Sequence, residues 1–225
     1  EEEIVSAISN GTYRETVEDV RRIFAEQGEK AANEKKIELP EITFSANYRG
    51  GRSNATLVKY LGYIVVDIDH QTQEALARIL ALAKKCAHTR IAFISPKGMG
   101  LKIVVRVCRT DGTLPETIQE IEDFHHAAYH KIASFYAQLC GVEVDTSGQD
   151  VSRTCLFFYD PDIYFNPDAT AVIVEQPPMF FKSQKKKRAS GKKKKTTAPD
   201  NNPLTEQVAL NYHSSHASLM VTLNY

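Results

Sequence analysis

No stretch of about 18 or more apolar residues occurs in the sequence, which excludes a membrane-spanning helix of ordinary length. The opening residues do not read as a secretory signal, so a cytoplasmic location is expected. They run Glu1-Glu2-Glu3 rather than starting at Met, as a piece of a longer chain would. Cysteine is scarce. Cys86, Cys108, Cys140 and Cys155 are widely spaced and form no CxxC pair, so small core residues are expected rather than disulfides or thiolate zinc ligands. There is no internal repeat and no Walker loop of the G-x-x-x-x-G-K-[ST] kind. Net charge is also missing, at +0, but that balance hides an asymmetry. Residues 182–195, "KSQKKKRASGKKKK", hold nine basic residues and no acid, leaving the rest of the chain acidic. A lysine-rich run with Ser and Gly cannot bury a core. It reads as a tether, either merely solvated or also touching nucleic-acid phosphates.

What is present is enough for one domain: 225 residues, 42% of them hydrophobic and 25% charged. The periodicity predicts an amphipathic helix over 12–40, with Val17, Val20, Ile23 and Phe24 on one face and Pro40 closing it. A short β-prone piece and a Gly-Gly loop carrying Arg49 and Arg52 follow. An apolar strand over 60–68 comes next, then a helix with Leu76, Ile79, Leu80 and Ala83 on one side. "TRIAFISPKGMGLKIVVRVC" reads as a β-hairpin around a Pro/Gly turn. A long helix opens at Pro115 and stops at Gly141. Short strands and acid-rich turns complete a domain over 1–180. A basic linker, 181–203, and the start of a further helical segment, 204–225, are expected after it. Hairpin-linked strands interspersed with helices predict an α+β fold, a mostly antiparallel sheet with helices on one face.

Four groups of residues carry chemistry. On "YIVVDIDH", residues 63–70, Ile64, Val66 and Ile68 share an apolar face, while Tyr63, Val65, Asp67 and Asp69 share the other. Two carboxylates about 7 Å apart on one face repel unless a cation lies between them. Mg²⁺ or Mn²⁺ suits such oxygen ligands, and paired ions are the usual apparatus of phosphoryl and nucleotidyl transfer. An Asp-rich turn at a strand end explains the motif equally simply. In "FISPKGMGLKIVV", Ser95, Lys97 and Lys102 flank Gly98 and Gly100, which let the backbone approach a ligand. That is a cradle for a triphosphate, or a hairpin with solvated lysines. In "VEVDTSGQDVSR", Asp145 ends a short β-like run, 142–144, and is placed to complete a metal site. Asp150, Asp160 and Asp162 are rival donors that turn chemistry also explains. Arg153 balances phosphate or pairs with an acid. On the long helix, His126 and His130 lie four apart on one face, the spacing that binds transition metals, with His125 on a neighbouring face.

Taken in order, "VVDIDH", "SPKGMGLKIVV" and "VEVD" resemble the three motifs of the archaeo-eukaryotic primase-polymerase superfamily. The fuller text, "LPEITFSANYRGGR" through "DVSRTCLFFYDPDIYFNP", is similar to the primase-like N-terminal domain of virulence-associated-E-type proteins of mobile elements. The resemblance spans about residues 10–175. It implies an RRM-like catalytic sheet that adds NTP or dNTP to a 3′-hydroxyl on a single-stranded DNA template. It implies Asp67, Asp69 and Asp145 as holders of Mg²⁺ or Mn²⁺, and Ser95, Lys97, Gly98, Gly100, Lys102 and Arg153 as nucleotide-binding residues. Arg49 and Arg52 would face nucleic acid, and a helicase-like module would follow. Lys102 stands where the superfamily often has a histidine. That departure keeps open a second expectation, a non-catalytic domain that holds nucleotide or single-stranded DNA for a partner helicase or integrase.

Overall fold

The computed structural model describes residues 2–175; the expected linker, 181–203, and the helical segment, 204–225, lie outside them. Three helices open the chain: α1 (Glu2–Ser9), α2 (Arg14–Gln27) and α3 (Glu29–Lys36). The single helix predicted over 12–40 is broken at Gly28, whose φ of 86° lies where glycine alone is unstrained. Then come β1 (Glu41–Ile42), β2 (Ala46–Tyr48), β3 (Leu57–Tyr60), β4 (Tyr63–Ile68), α4 (Gln73–Lys85), β5 (Thr89–Ile94) and β6 (Leu101–Cys108). The long helix α5 (Ile118–Cys140) is followed by a 3-10 turn (Thr146–Gln149), β7 (Cys155–Leu156), β8 (Tyr164–Phe165) and β9 (Val172–Ile173). Side-chain caps fix two helix starts: Thr72 accepts from the Ala75 N–H ahead of α4, and Thr117 from the Glu120 N–H ahead of α5. Gly141, left-handed at φ 64°, ends α5.

The fold is α+β. Its central sheet runs β4-β6-β5-β8, every pair antiparallel, with β9 parallel to the last residues of β6. Two short antiparallel pairs, β1 with β7 and β2 with β3, stand beside it. Ile64, Val66 and Ile68 of β4 join Leu101, Ile103 and Val105 of β6 against Leu76, Ile79 and Ala83 of α4 and Phe124, Ala128 and Ile132 of α5. Removing such side chains from water is worth about 1.5–3 kcal/mol each, so this face fixes where the strands end. The order of elements predicts helices on one face only, and the structure corrects this. Ile91, Phe93 and Val104 make the second face apolar as well, and Ile8 of α1, Val17 of α2, Phe44 and Phe158 cover it. Phe93 stacks on Phe158 with centroids 3.8 Å apart. Asp67 lies on this second face, at the end where the apolar cover stops. Among the described residues, no helix is long and apolar enough to cross a membrane.

Candidate functional site

The site begins with strand register. Asp67 of β4 stands directly opposite Lys102 of β6, and Lys102 opposite Phe93 of β5. Cross-strand neighbours on one face are close enough to bond, and the Lys102 ammonium donates to Asp67 Oδ2. Both groups are nearly enclosed, Asp67 being 8% exposed. Burial opposes the lysine's charge, but the surrounding Cys155 sulfur, Asp67 and Asp69 outweigh it and hold its pKa above the ordinary lysine value. The other oxygen, Asp67 Oδ1, is buried and has no hydrogen-bond donor. A buried carboxylate oxygen without a donor is costly unless a cation supplies the missing partner.

Asp145 reaches Asp67 through the backbone. Its N–H donates to Asp67 O at 3.0 Å, and its own carbonyl accepts from the Tyr129 hydroxyl of α5. The β-like run expected over 142–144 is not a strand; this single backbone bond docks the segment on the open edge of β4. The Asp145 carboxylate caps the 3-10 turn, accepting from Ser147 Oγ at 2.6 Å and Ser147 N at 2.9 Å. Those two bonds, helped by the positive Arg153 and Lys102, hold its carboxyl below the usual carboxylate range. Arg153 Nη2 stands 3.9 Å from Asp145 Oδ2.

Asp69 follows β4 and meets the hairpin. A Cβ on Gly100 would fall 2.6 Å from Asp69 Oδ1, 3.1 Å from Ile68 O and 3.2 Å from Ser95 Oγ, so only glycine fits there without displacement. The turn itself is tied by Gly98 N to Ser95 O at 2.9 Å and Ser95 N to Gly100 O at 2.8 Å. It leans on the strand end through Gln71 N to Met99 O at 2.9 Å and Gln73 Nε2 to Gly98 O at 2.7 Å. The result is a convergence: one carboxylate oxygen from each of Asp67, Asp69 and Asp145 lies within 4.8 Å of the others. Three hard oxygen donors at that spacing suit a small divalent cation.

Other expected residues fall differently. Ser95 is buried beside Asp69. Lys97 bonds Glu29 Oε1 of α3 at 2.6 Å and lies over the Phe24 ring. Arg52 pairs with Glu41 at 2.8 Å and Thr154 at 2.9 Å, and exposed Arg49 sits on the β2–β3 loop; neither contacts the three acids. Asp160 is a turn residue, accepting from Ile94 N at 2.9 Å and Asp162 N at 3.0 Å, and it does not join the convergence of Asp67, Asp69 and Asp145. His125 is buried against the Tyr60 hydroxyl at 3.0 Å, and burial pushes its pKa down to about 4.

One residue near the acids, Lys36, escapes the sequence reading. Lys36, ending α3, is held below the ordinary lysine pKa by burial and by the like charges of Lys97 and Lys102, while Asp69 and Asp67 pull it upward. Nothing in "NEKKIELP" separates it from a solvated lysine. His70 adopts φ 57°, the only positive φ among described non-glycine residues. It lines a pocket of about 30 Å³ with Phe24, Glu29, Asp69, Ser95 and Lys97.

Comparison with known protein families gives a match. The family described as BT4734-like, N-terminal domain, matches residues 34–165. No curated protein matches the chain, and no solved structure does. The matched residues run from the end of α3 through β8 and exceed half of the chain, taking in Asp67, Asp69, Lys102 and Asp145; the chain therefore belongs to the BT4734-like N-terminal domain family.

Proposed function

We propose that this domain is a template-dependent nucleotidyltransferase, the primase or polymerase part of a mobile-element replication protein. It would join NTP or dNTP to a 3′-hydroxyl on single-stranded DNA, in the cytoplasm, beside a helicase-like module. The observation that carries this reading is the convergence of Asp67, Asp69 and Asp145 to within 4.8 Å. The donor set fits Mg²⁺ or Mn²⁺: all ligands are carboxylate oxygens, and buried Asp67 Oδ1 lacks a donor. Ions held there would lower the pKa of the attacking hydroxyl and neutralise charge growing on the α-phosphate. The chain's own groups do the rest. Lys102 holds Asp67 Oδ2 and leaves Oδ1 free. Ser147 fixes the Asp145 carboxylate, and Gly100 leaves Asp69 its place. Lys36, Lys97 and Arg153 supply positive charge around the acids for the phosphates. Lys97 pairs with Glu29, a contact it would exchange for a phosphate.

The test is Mn²⁺-dependent synthesis on single-stranded DNA by an Asp67→Asn/Asp69→Asn variant. Loss of product with an unchanged circular dichroism spectrum supports the reading; undiminished synthesis refutes it. The Lys102–Asp67 pair favours one other reading, a domain that grips nucleotide or single-stranded DNA without chemistry, since an ammonium already occupies one oxygen of the central acid. Tight DNA binding by the wild type with no incorporation of labelled nucleotide under either metal would select it.

A further inference from the structure

His126 and His130 lie on the exposed side of α5, well apart in role from buried His125. Their Nε2 atoms are 3.2 Å apart, and Gln149 Oε1 lies 3.2 Å from His130 Nε2. Two imidazole nitrogens bound to one ion at about 2.1 Å, with a bond angle between square and tetrahedral, stand about 3.0–3.4 Å apart. The observed spacing falls in that range, with 65° between the ring planes and an amide oxygen 3.2 Å from His130 Nε2. The donors differ in kind from those at the Asp cluster. Imidazole nitrogens select Zn²⁺, Ni²⁺, Cu²⁺ or Co²⁺, while an all-carboxylate set selects Mg²⁺ or Mn²⁺.

Gln149 ends the same 3-10 turn whose first carboxylate is Asp145. That turn is packed tightly on α5: a Cβ on Gly148 would meet the Tyr129 ring at 3.1 Å, and the Tyr129 hydroxyl bonds Asp145 O. We propose that His126, His130 and Gln149 form a second metal site, specific for a nitrogen-seeking transition ion, that clamps the Asp145-bearing turn to α5. The site does not depend on the nucleotidyltransferase reading, because its ligands are separate from the three acids. The same 3.2 Å spacing suits a single N–H···N hydrogen bond between neutral rings, and the experiment separates the two.

The untagged chain is titrated with Co²⁺ and Zn²⁺ in the presence of excess Mg²⁺. We expect one Co²⁺ equivalent with visible ligand-field bands of nitrogen coordination, displaced by Zn²⁺. The His126→Ala/His130→Ala variant should lose that equivalent and its bands, and Gln149→Ala should weaken it by about 10-fold or more. The Asp67→Asn/Asp69→Asn variant should keep it, which distinguishes this site from the acid cluster. Zn²⁺ should also raise the melting temperature of the wild type and not of the double histidine variant. Wild type that takes up no Co²⁺ under these conditions, or a double histidine variant that keeps the bands, overturns the proposal.

Discussion

Replacing Lys102 with Met tests how the site is held together before any ligand arrives. Among the described residues, the lysine is the only group bonded to the Asp67 carboxylate, and the two side chains are 14% and 12% exposed. Methionine keeps most of the lysine's apolar stem, so the change removes charge more than volume. Breaking a buried pair by deleting one partner costs about 3–5 kcal/mol, since the other charge is left uncompensated. The residual exposure puts this site near the lower end, about 3 kcal/mol. For a domain of this size, that lowers Tm by about 6–12 °C. The sign with pH follows from the raised Lys102 pKa: its stabilisation is complete below the unfolded lysine value and is lost as pH climbs through the higher folded value. The wild-type advantage therefore persists through neutral pH and fades only in the alkaline range. The assay is thermal unfolding by circular dichroism at neutral pH, without metal and with Mn²⁺. An ion that replaces the missing ammonium restores about 2.7 kcal/mol at a hundredfold excess over its Kd, so Mn²⁺ should recover most of the loss. A metal-free variant melting within about 2 °C of wild type would refute the account of the pair.

Gly100→Ala should weaken Mn²⁺ binding by about 10-fold or more, because the new methyl displaces Asp69 Oδ1, while costing about 1–3 kcal/mol of stability. Calorimetric titration checks the first and denaturant unfolding the second; wild-type affinity would contradict the close approach. His125 has its pKa pushed from 6.5 down to about 4, so the unfolded chain takes up a proton that the folded one refuses as pH falls. Stability should drop by about 3 kcal/mol between those two values, and His125→Gln should flatten that slope in urea melts across the range.

The parts legible in the sequence are those that local pattern determines. The apolar alternation of β4 and β6, the Pro/Gly turn between β5 and β6, and the extent of α5 to Gly141 all follow from residue spacing. Asp67 is readable because a strand fixes which residues share a face, and Asp69 because it follows directly on that strand. Asp145 is readable as a residue but not as a placement: its position depends on a backbone bond to Asp67 and on Tyr129, both remote in sequence. Lys97 reads as a free turn lysine, yet it bonds Glu29, a contact that exists only because Gly28 redirects α3. Lys36 is invisible for the same reason. The second apolar face of the sheet is present in Ile91, Phe93 and Val104, but its cover comes from helices at the far end of the chain.

The fastening of Asp145 to the rim of β4 ties two remote parts of the fold together. Asp145 lies five residues past the end of α5; its amide bonds the Asp67 carbonyl, while its own carbonyl accepts from Tyr129 of that helix. Any change that lifts α5 from the sheet would therefore also draw Asp145 away from Asp67 and Asp69.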